Sequence, residues 1–251
     1  MDSTTITNML EIITRKPSNH ALNSKITTFV NPYSYFILRK KPDIYSQFDH
    51  IYLDGFLLVT LLRLFGFRNI ERKSFDMTSM APEVFNECAS KNKTIFFVGS
   101  HADEIEKASL NIKKKFPDLY VLGCHHGYFD TANPIKTLLE DLAKVNPETV
   151  IVGMGTPLQE LFLLELRHHG WNGTGYTCGG FFHQTAKHIQ YYPNWANKLN
   201  LRWLFRIIDE PKLIRRYAIT YPAGVLLFAI DMLRMKLPKP HNASTGGDNR
   251  L

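Results

Sequence analysis

Cysteine is scarce in this chain: Cys88, Cys124 and Cys178 are the only three in 251 residues. They are widely spaced and form no CxxC pair. That excludes a disulfide framework and makes a reducing compartment the expectation. Long apolar runs are missing too. The tract AITYPAGVLLFAI, at 218–230, is too short to span a bilayer, which takes about 20 residues, and Pro222 and Gly224 are expected to interrupt it. The first residues, MDSTTITNMLEIITRK, lack the basic-then-apolar order of a signal peptide, so a cytoplasmic location is expected. No internal repeat is present.

Acidic residues are the minority charge, 23 against 30 Lys and Arg, for a net charge of +7. The excess is local. Between 198 and 239 nine basic residues face three acids, a balance of +6, so the rest of the chain is nearly neutral. Such a patch seeks phosphate, on nucleic acid or on an anionic membrane. The tract at 218–230 lies inside it and is followed by Asp231, Arg234 and Lys236. That pattern suits a helix lying in a membrane interface. On composition alone, a terminal core helix with snorkelling basic side chains fits equally well.

What is present is an alternation. Apolar runs KITTFV, HIYLD, TIFFVGS, LYVLG, TVIVGM and GYTCGG are each followed by a turn and, in most cases, a helix-like tract. In DEIEKASLNIKKKF the acids come early and the lysines late, matching a helix dipole. Ile135, Leu138, Leu139, Leu142 and Val145 fall on one helical stripe. Strands alternating with helices indicate βαβ units, and continuous apolar strands indicate a sheet covered on both faces. The expected fold is therefore α/β, a mainly parallel sheet flanked by helices. From about residue 193 only helical patterns follow. This predicts a core over 1–192, a basic helical appendage over 193–237 and a disordered polar tail over 238–251.

In an open parallel sheet, ligands bind beyond the carboxyl ends of the strands. Polar or glycine residues recur at those ends: Asn31, Asp54-Gly55, Gly99-Ser100, 123–128, 153–159 and 178–183. In VGMGTPLQE the Gly153-x-Gly155 pair resembles a dinucleotide fingerprint, but Leu158 stands where the third glycine belongs. Thr156 as N-cap, Pro157 at the first helical position and Gln159 at the third form a capping box; the alternative is that Gln159 and the free amides contact a ligand. Asp54 ends a strand beside a glycine. It reads either as a helix N-cap or as a general base. The pairs His125-His126 and His168-His169 lack the spacing of a chelating face, and no acid or cysteine cluster completes a site, so no metal is expected.

Together, GMGTPLQE, GCHHGYFD, YLDG and LRWLFRIIDEPKLIRRY resemble the WecG/TagA/CpsF glycosyltransferases, in order from about residue 30 to 217. The resemblance implies a Rossmann-like core with a helical appendage. It implies an inverting, metal-independent transfer from a UDP-sugar to a polyprenyl-diphosphate-linked saccharide at the inner membrane face, with no separate cofactor. Carried over by residue, it makes Asp54 the base that deprotonates the acceptor hydroxyl and Arg72 the stabiliser of the departing diphosphate. It places Asn31, Tyr128, Gly155, Gln159 and His183 around the nucleotide-sugar, and Arg206 and Arg216 on the lipid diphosphate. Anionic lipid is an expected partner, nucleic acid is not, and an oligomer is left open. Three departures stand out: His183 replaces an aspartate that many members carry, Leu213 replaces an arginine, and Phe75 replaces a glycine. The first and third alter the core and imply a donor other than N-acetylmannosamine, and the variants VNPYSY, SFDMTS and CGGFFHQTA look more like exopolysaccharide or O-antigen members than teichoic-acid ones.

Two other classes compete. A dinucleotide oxidoreductase would need the missing third glycine and a ribose-binding acid. An RNA-binding module would need aromatics interleaved with the basic residues on a recognisable fold.

Overall fold

The computed structural model describes residue 13 and residues 25–67, 70–199 and 201–236; the predicted tail at 238–251 lies outside them. Six strands form one parallel sheet: β1 (Lys25–Val30), β2 (His50–Leu53), β3 (Thr94–Gly99), β4 (Tyr120–His125), β5 (Thr149–Gly153) and β6 (Thr174–Thr177), in the order β2-β1-β6-β5-β3-β4. Each coincides with one of the apolar runs, and the fold is the Rossmann-like α/β class expected. The chain leaves β5 toward β6 and leaves β3 toward β4. These neighbours therefore diverge, and a crevice opens beyond their ends, where Gly99 pairs with Gly153.

Side chains alternate across the sheet and build a core on each face. Val150 and Val152 point to one side, with Ile26, Val30, Leu163 and Trp171; Ile151 points to the other, with Ile95, Phe97 and Phe182. On the first face lie helices α1 (Pro32–Leu38), α2 (Pro42–Tyr45), α3 (Phe56–Leu64), α6 (Ala132–Val145) and α7 (Leu158–His168). On the second lie α4 (Met80–Ser90), α5 (Ala102–Lys115) and α8 (Phe181–Lys187). Asn31 begins α1 through a capping box: its Oδ1 accepts from the Tyr33 and Ser34 amides, and Ser34 Oγ accepts from the Asn31 backbone amide. Phe75 fills the second core, packed against Phe29, Phe85, Tyr176 and Phe181.

After β6 and α8 the described residues hold only helices: α9 (Asn194–Lys198), α10 (Arg202–Asp209), a short 3-10 turn (Pro211–Leu213), a π-turn (Arg216–Thr220) and α11 (Tyr221–Lys236). Contrary to the sequence expectation, Pro222 and Gly224 do not interrupt this last segment. The Tyr221 amide bonds to the Arg216 carbonyl, so the wider π-turn lies directly ahead of Pro222, which has no amide hydrogen to place. The resulting helical run, Pro211–Met235, is long and apolar enough to cross a membrane by length and composition.

One face of α11 nevertheless belongs to the core. Phe228 and Met232 are fully buried, and Phe228 packs edge-on to Tyr35 at 4.9 Å. Asp231, also fully buried, accepts from Tyr35 Oη at 2.8 Å and from both Nε and Nη2 of Arg39 at 2.5 and 2.8 Å. Gly224 touches α1: a Cβ there would stand 2.0 Å from the Pro32 carbonyl oxygen. Gly224→Ala is therefore expected to destabilise the protein by about 1–3 kcal/mol in urea unfolding, because overpacking outweighs alanine's better helix propensity.

Candidate active site

A cavity of about 1280 Å³ opens over the carboxyl ends of the strands, between the sheet and the C-terminal helices. Asn31, Asp54, Arg72, Tyr128, Gly155, Gln159, His183, Arg206 and Arg216 all line it. The topology thus gathers residues spread along most of the chain. The volume exceeds what one drug-sized ligand occupies and leaves room for two substrates side by side.

Asp54 follows β2, which is held in register by the Leu53–Arg72 bridge. The N-cap alternative is excluded, since Gly55 takes that position and no side chain caps α3. Asp54 is half-buried, and burial raises its carboxyl above the ordinary range. Asp76 adds to that rise, while Arg72, Arg202 and Arg206 oppose it. Arg72 Nη2 stands 3.7 Å from Asp54 Oδ1 and 3.6 Å from Asp76 Oδ2, and donates to Ser74 Oγ at 2.9 Å. Asp76 is pinned in turn by Arg202 at 2.9 Å and by the Ser74 hydroxyl at 2.6 Å. Burial works against its charge, but Arg202 and these hydroxyls prevail and hold its carboxyl below the usual range.

The turn after β5 differs from the predicted capping box. Pro157 takes the N-cap position, α7 starts at Leu158, and no side chain caps it. The reason is Glu160, fully buried beneath the turn. Its Oε1 accepts from Thr28 Oγ1 at 3.0 Å, Gln159 Nε2 at 3.1 Å and Thr156 Oγ1 at 3.3 Å, so the capping groups are drawn inward. Gln159 is buried as well, and its Oε1 accepts from the Gly179 amide at 3.0 Å. Its amide thus ties the β5 turn to the β6 turn. Gly155 adopts φ 76°, a left-handed conformation that a side chain would strain.

Tyr128 is exposed and stacks on His101, with ring centroids 4.0 Å apart and planes within 6°. Across the cavity, the Arg216 guanidinium lies 3.6 Å from the Tyr33 ring centroid, and Arg206 Nη2 donates to Glu210 Oε1 at 2.7 Å. The Nε atoms of both arginines are buried and have no hydrogen-bond partner among the described residues. Both arginines line the cavity, where a guanidinium group can meet a phosphorylated ligand. Leu213, where the family resemblance would place an arginine, leaves its part of the wall apolar.

His183 Nδ1 lies 2.6 Å from Glu104 Oε1, and its Nε2 lies 3.6 Å from Glu210 Oε1. With Asp209, His183 and Glu210 form a group whose atoms could reach one metal ion. Lys187 already holds Asp209, while Arg206 and Lys212 hold Glu210, so a further cation would meet three nearby positive charges. Sequence reasoning missed Glu104, Asp76, His101 and Glu160 as parts of this wall and its support. Asp76 lay within SFDMTS, but nothing local marks Glu160 as the floor of the site.

A half-buried carboxyl among guanidinium groups, in a cavity over the carboxyl ends of the strands of a Rossmann-like sheet, has the chemistry of an enzyme site suited to phosphorylated ligands. Comparison with known proteins gives the class. The model of the Glycosyl transferase WecG/TagA/CpsF family matches residues 1–238, and the chain belongs to that family; it is a glycosyltransferase. It is similar to the UDP-Gal:alpha-D-GlcNAc-diphosphoundecaprenol beta-1,4-galactosyltransferase of Shigella boydii. The two are 37% identical over 227 residues, which cover 88% of this chain and 95% of the relative. It is also similar to the N-acetylglucosaminyldiphosphoundecaprenol N-acetyl-beta-D-mannosaminyltransferase of Bacillus subtilis (strain 168). That identity is 27% over 226 residues, 86% of this chain and 85% of the relative.

Proposed function

We propose that this enzyme transfers a hexose from a UDP-sugar, with UDP-galactose the first choice, to N-acetylglucosamine carried on a polyprenyl diphosphate. The setting is surface-polysaccharide assembly at the cytoplasmic membrane face. The observation that carries the reading is the pair of arginines, Arg206 and Arg216, lining the same cavity as the elevated carboxyl of Asp54. Two guanidinium groups suit a diphosphate. Asp54 suits a base that takes the acceptor's hydroxyl proton as the oxygen attacks the anomeric carbon. One displacement at that carbon inverts it, and the negative charge released on the donor diphosphate falls to Arg72. Guanidinium groups supply the balancing charge, so the proposal requires neither metal nor cofactor.

The UDP-sugar is assigned to Asn31, Tyr128, the Gly155 turn and Gln159 in the cavity wall. The exposed ring of Tyr128, backed by His101, offers a flat face for uracil. Gln159 acts there chiefly by fixing the Gly179 amide. Exposed Phe56, Leu57, Trp203 and Leu226 also line the cavity, and there the lipid-linked acceptor would enter from an anionic surface. Because Asp231, Phe228 and Met232 anchor α11 in the core, we read this helix as lying on the membrane rather than crossing it.

The test is a panel of UDP-sugars offered to the full chain with synthetic N-acetylglucosaminyl-diphosphate-lipid. UDP-galactose is expected to turn over at least about tenfold faster than UDP-N-acetylmannosamine. No transfer from any UDP-sugar, or NAD binding without UDP binding, would refute the reading.

A further inference from the structure

The cavity wall contains one array that the transfer chemistry above does not use. Three separate elements meet at His183. Glu104 comes from the first turn of α5, His183 from the first turn of α8, and Glu210 from the end of α10. The imidazole lies between the two carboxylates, with Nδ1 2.6 Å from Glu104 and Nε2 3.6 Å from Glu210. Glu104 is fixed from behind by the Ser100 hydroxyl, and Glu210, itself buried, holds Arg206 at 2.7 Å. The Arg206 guanidinium in turn rests against Gly180: a Cβ there would meet Nη1 and Nη2, each at 3.1 Å. The array therefore runs from α5 of the core to Arg206 on α10.

We propose that Glu104, His183 and Glu210 form a clasp that seats the Arg206-bearing helix on the core, which makes His183 a positioning residue for acceptor binding rather than a donor-sugar contact. Two facing carboxylates repel unless a donor stands between them, and an imidazole bonded at Nδ1 and aimed through Nε2 supplies one. The surrounding charges fit this role. Lys187 of α8 holds Asp209 at 2.7 Å and Asp76 holds Arg202 at 2.9 Å, so α10 is tethered to the core at both ends, and His183 faces Glu210 just beyond it. Nε2 is buried, faces Glu210 Oε1 at 3.6 Å and has no hydrogen-bond partner among the described residues.

This inference rests on the reading of Arg206 as an acceptor residue, and two readouts keep the ideas apart. In the full chain, His183→Gln replaces two nitrogens on opposite ring edges with one terminal amide, so it does not keep the imidazole's spacing between the two carboxylates. It is expected to speed amide exchange over residues 202–213 about tenfold and to raise the acceptor KM about tenfold, leaving kcat and the donor KM within about twofold. Glu104→Gln is expected to do the same, and carries the test if His183→Gln fails to fold. His183→Arg places a multi-donor group between the two carboxylates and is expected to recover most of both losses. Unchanged exchange and unchanged acceptor KM in both Gln variants would overturn the clasp, as would a loss confined to the donor KM. If Arg206→Gln leaves the acceptor KM untouched, the assignment of Arg206 fails, while the exchange result still decides the clasp.

Discussion

Asp54→Asn is expected to lower the rate of transfer by about a hundred- to ten-thousand-fold while UDP affinity stays within about twofold. The substitution keeps the shape and removes only the proton acceptor. Asp54 caps no helix, and its nearest cation, Arg72, stands at 3.7 Å, with its firmer bond to Ser74 independent of Asp54. Isothermal titration with UDP and single-turnover transfer measure the two halves separately; retained transfer would place the base elsewhere.

The same carboxyl sets a pH dependence. Burial raises it, so the folded protein holds this proton more tightly than the unfolded chain does. Activity needs the ionised form, and the acid limb of kcat/KM is therefore expected above the ordinary carboxylate range. Stability runs the other way. As pH rises through the interval between the unfolded and folded values, ionising Asp54 costs folding free energy. At neutral pH, Asp54→Asn should thus melt no lower than the parent, the signature of a group kept for chemistry at the expense of stability.

Asp231→Ala is expected to be the most destabilising single change proposed, at about 3–5 kcal/mol. The substitution leaves the Arg39 guanidinium, largely withdrawn from water, without its two hydrogen bonds to a buried acid, and it deprives Tyr35 Oη of its acceptor. None of these groups lies near Asp54 in the cavity wall. Urea unfolding should show the loss, and substrate affinity measured well below the melting temperature should change little. A change under about 1 kcal/mol would mean that α11 adds little to the core beyond apolar contact.

The sheet was legible in the sequence because buried parallel strands are continuous apolar runs, and all six were marked by turn residues at their carboxyl ends. Two helices were overlooked, the short α2 and the longer α4. Ala81, Val84, Phe85 and Cys88 of α4 recur at helical spacing and bury one face, a signal that was available. The site was legible in its members, through family resemblance, but not in its connections. That Thr156 and Gln159 turn inward depends on Glu160 being buried beneath them, and burial of a single acid has no local signature. The continuity of the last helix was hidden for a related reason. Pro222 normally breaks a helix, and only the π-turn ahead of it and the close seat of Gly224 on Pro32 show why this one continues.

The pairing of Arg39 with Asp231 joins positions 192 residues apart. During synthesis the amino-terminal third of the protein therefore cannot complete its core when it leaves the ribosome. β1 lacks its β6 neighbour until residue 177 has been made, and Tyr35 and Leu38 remain without Phe228 and Met232 for some fifty residues more. At a synthesis rate of about 5–20 residues per second, that apolar surface is exposed for several seconds or longer. Truncated nascent chains should accordingly engage chaperones until Met232 has emerged, and then release them together.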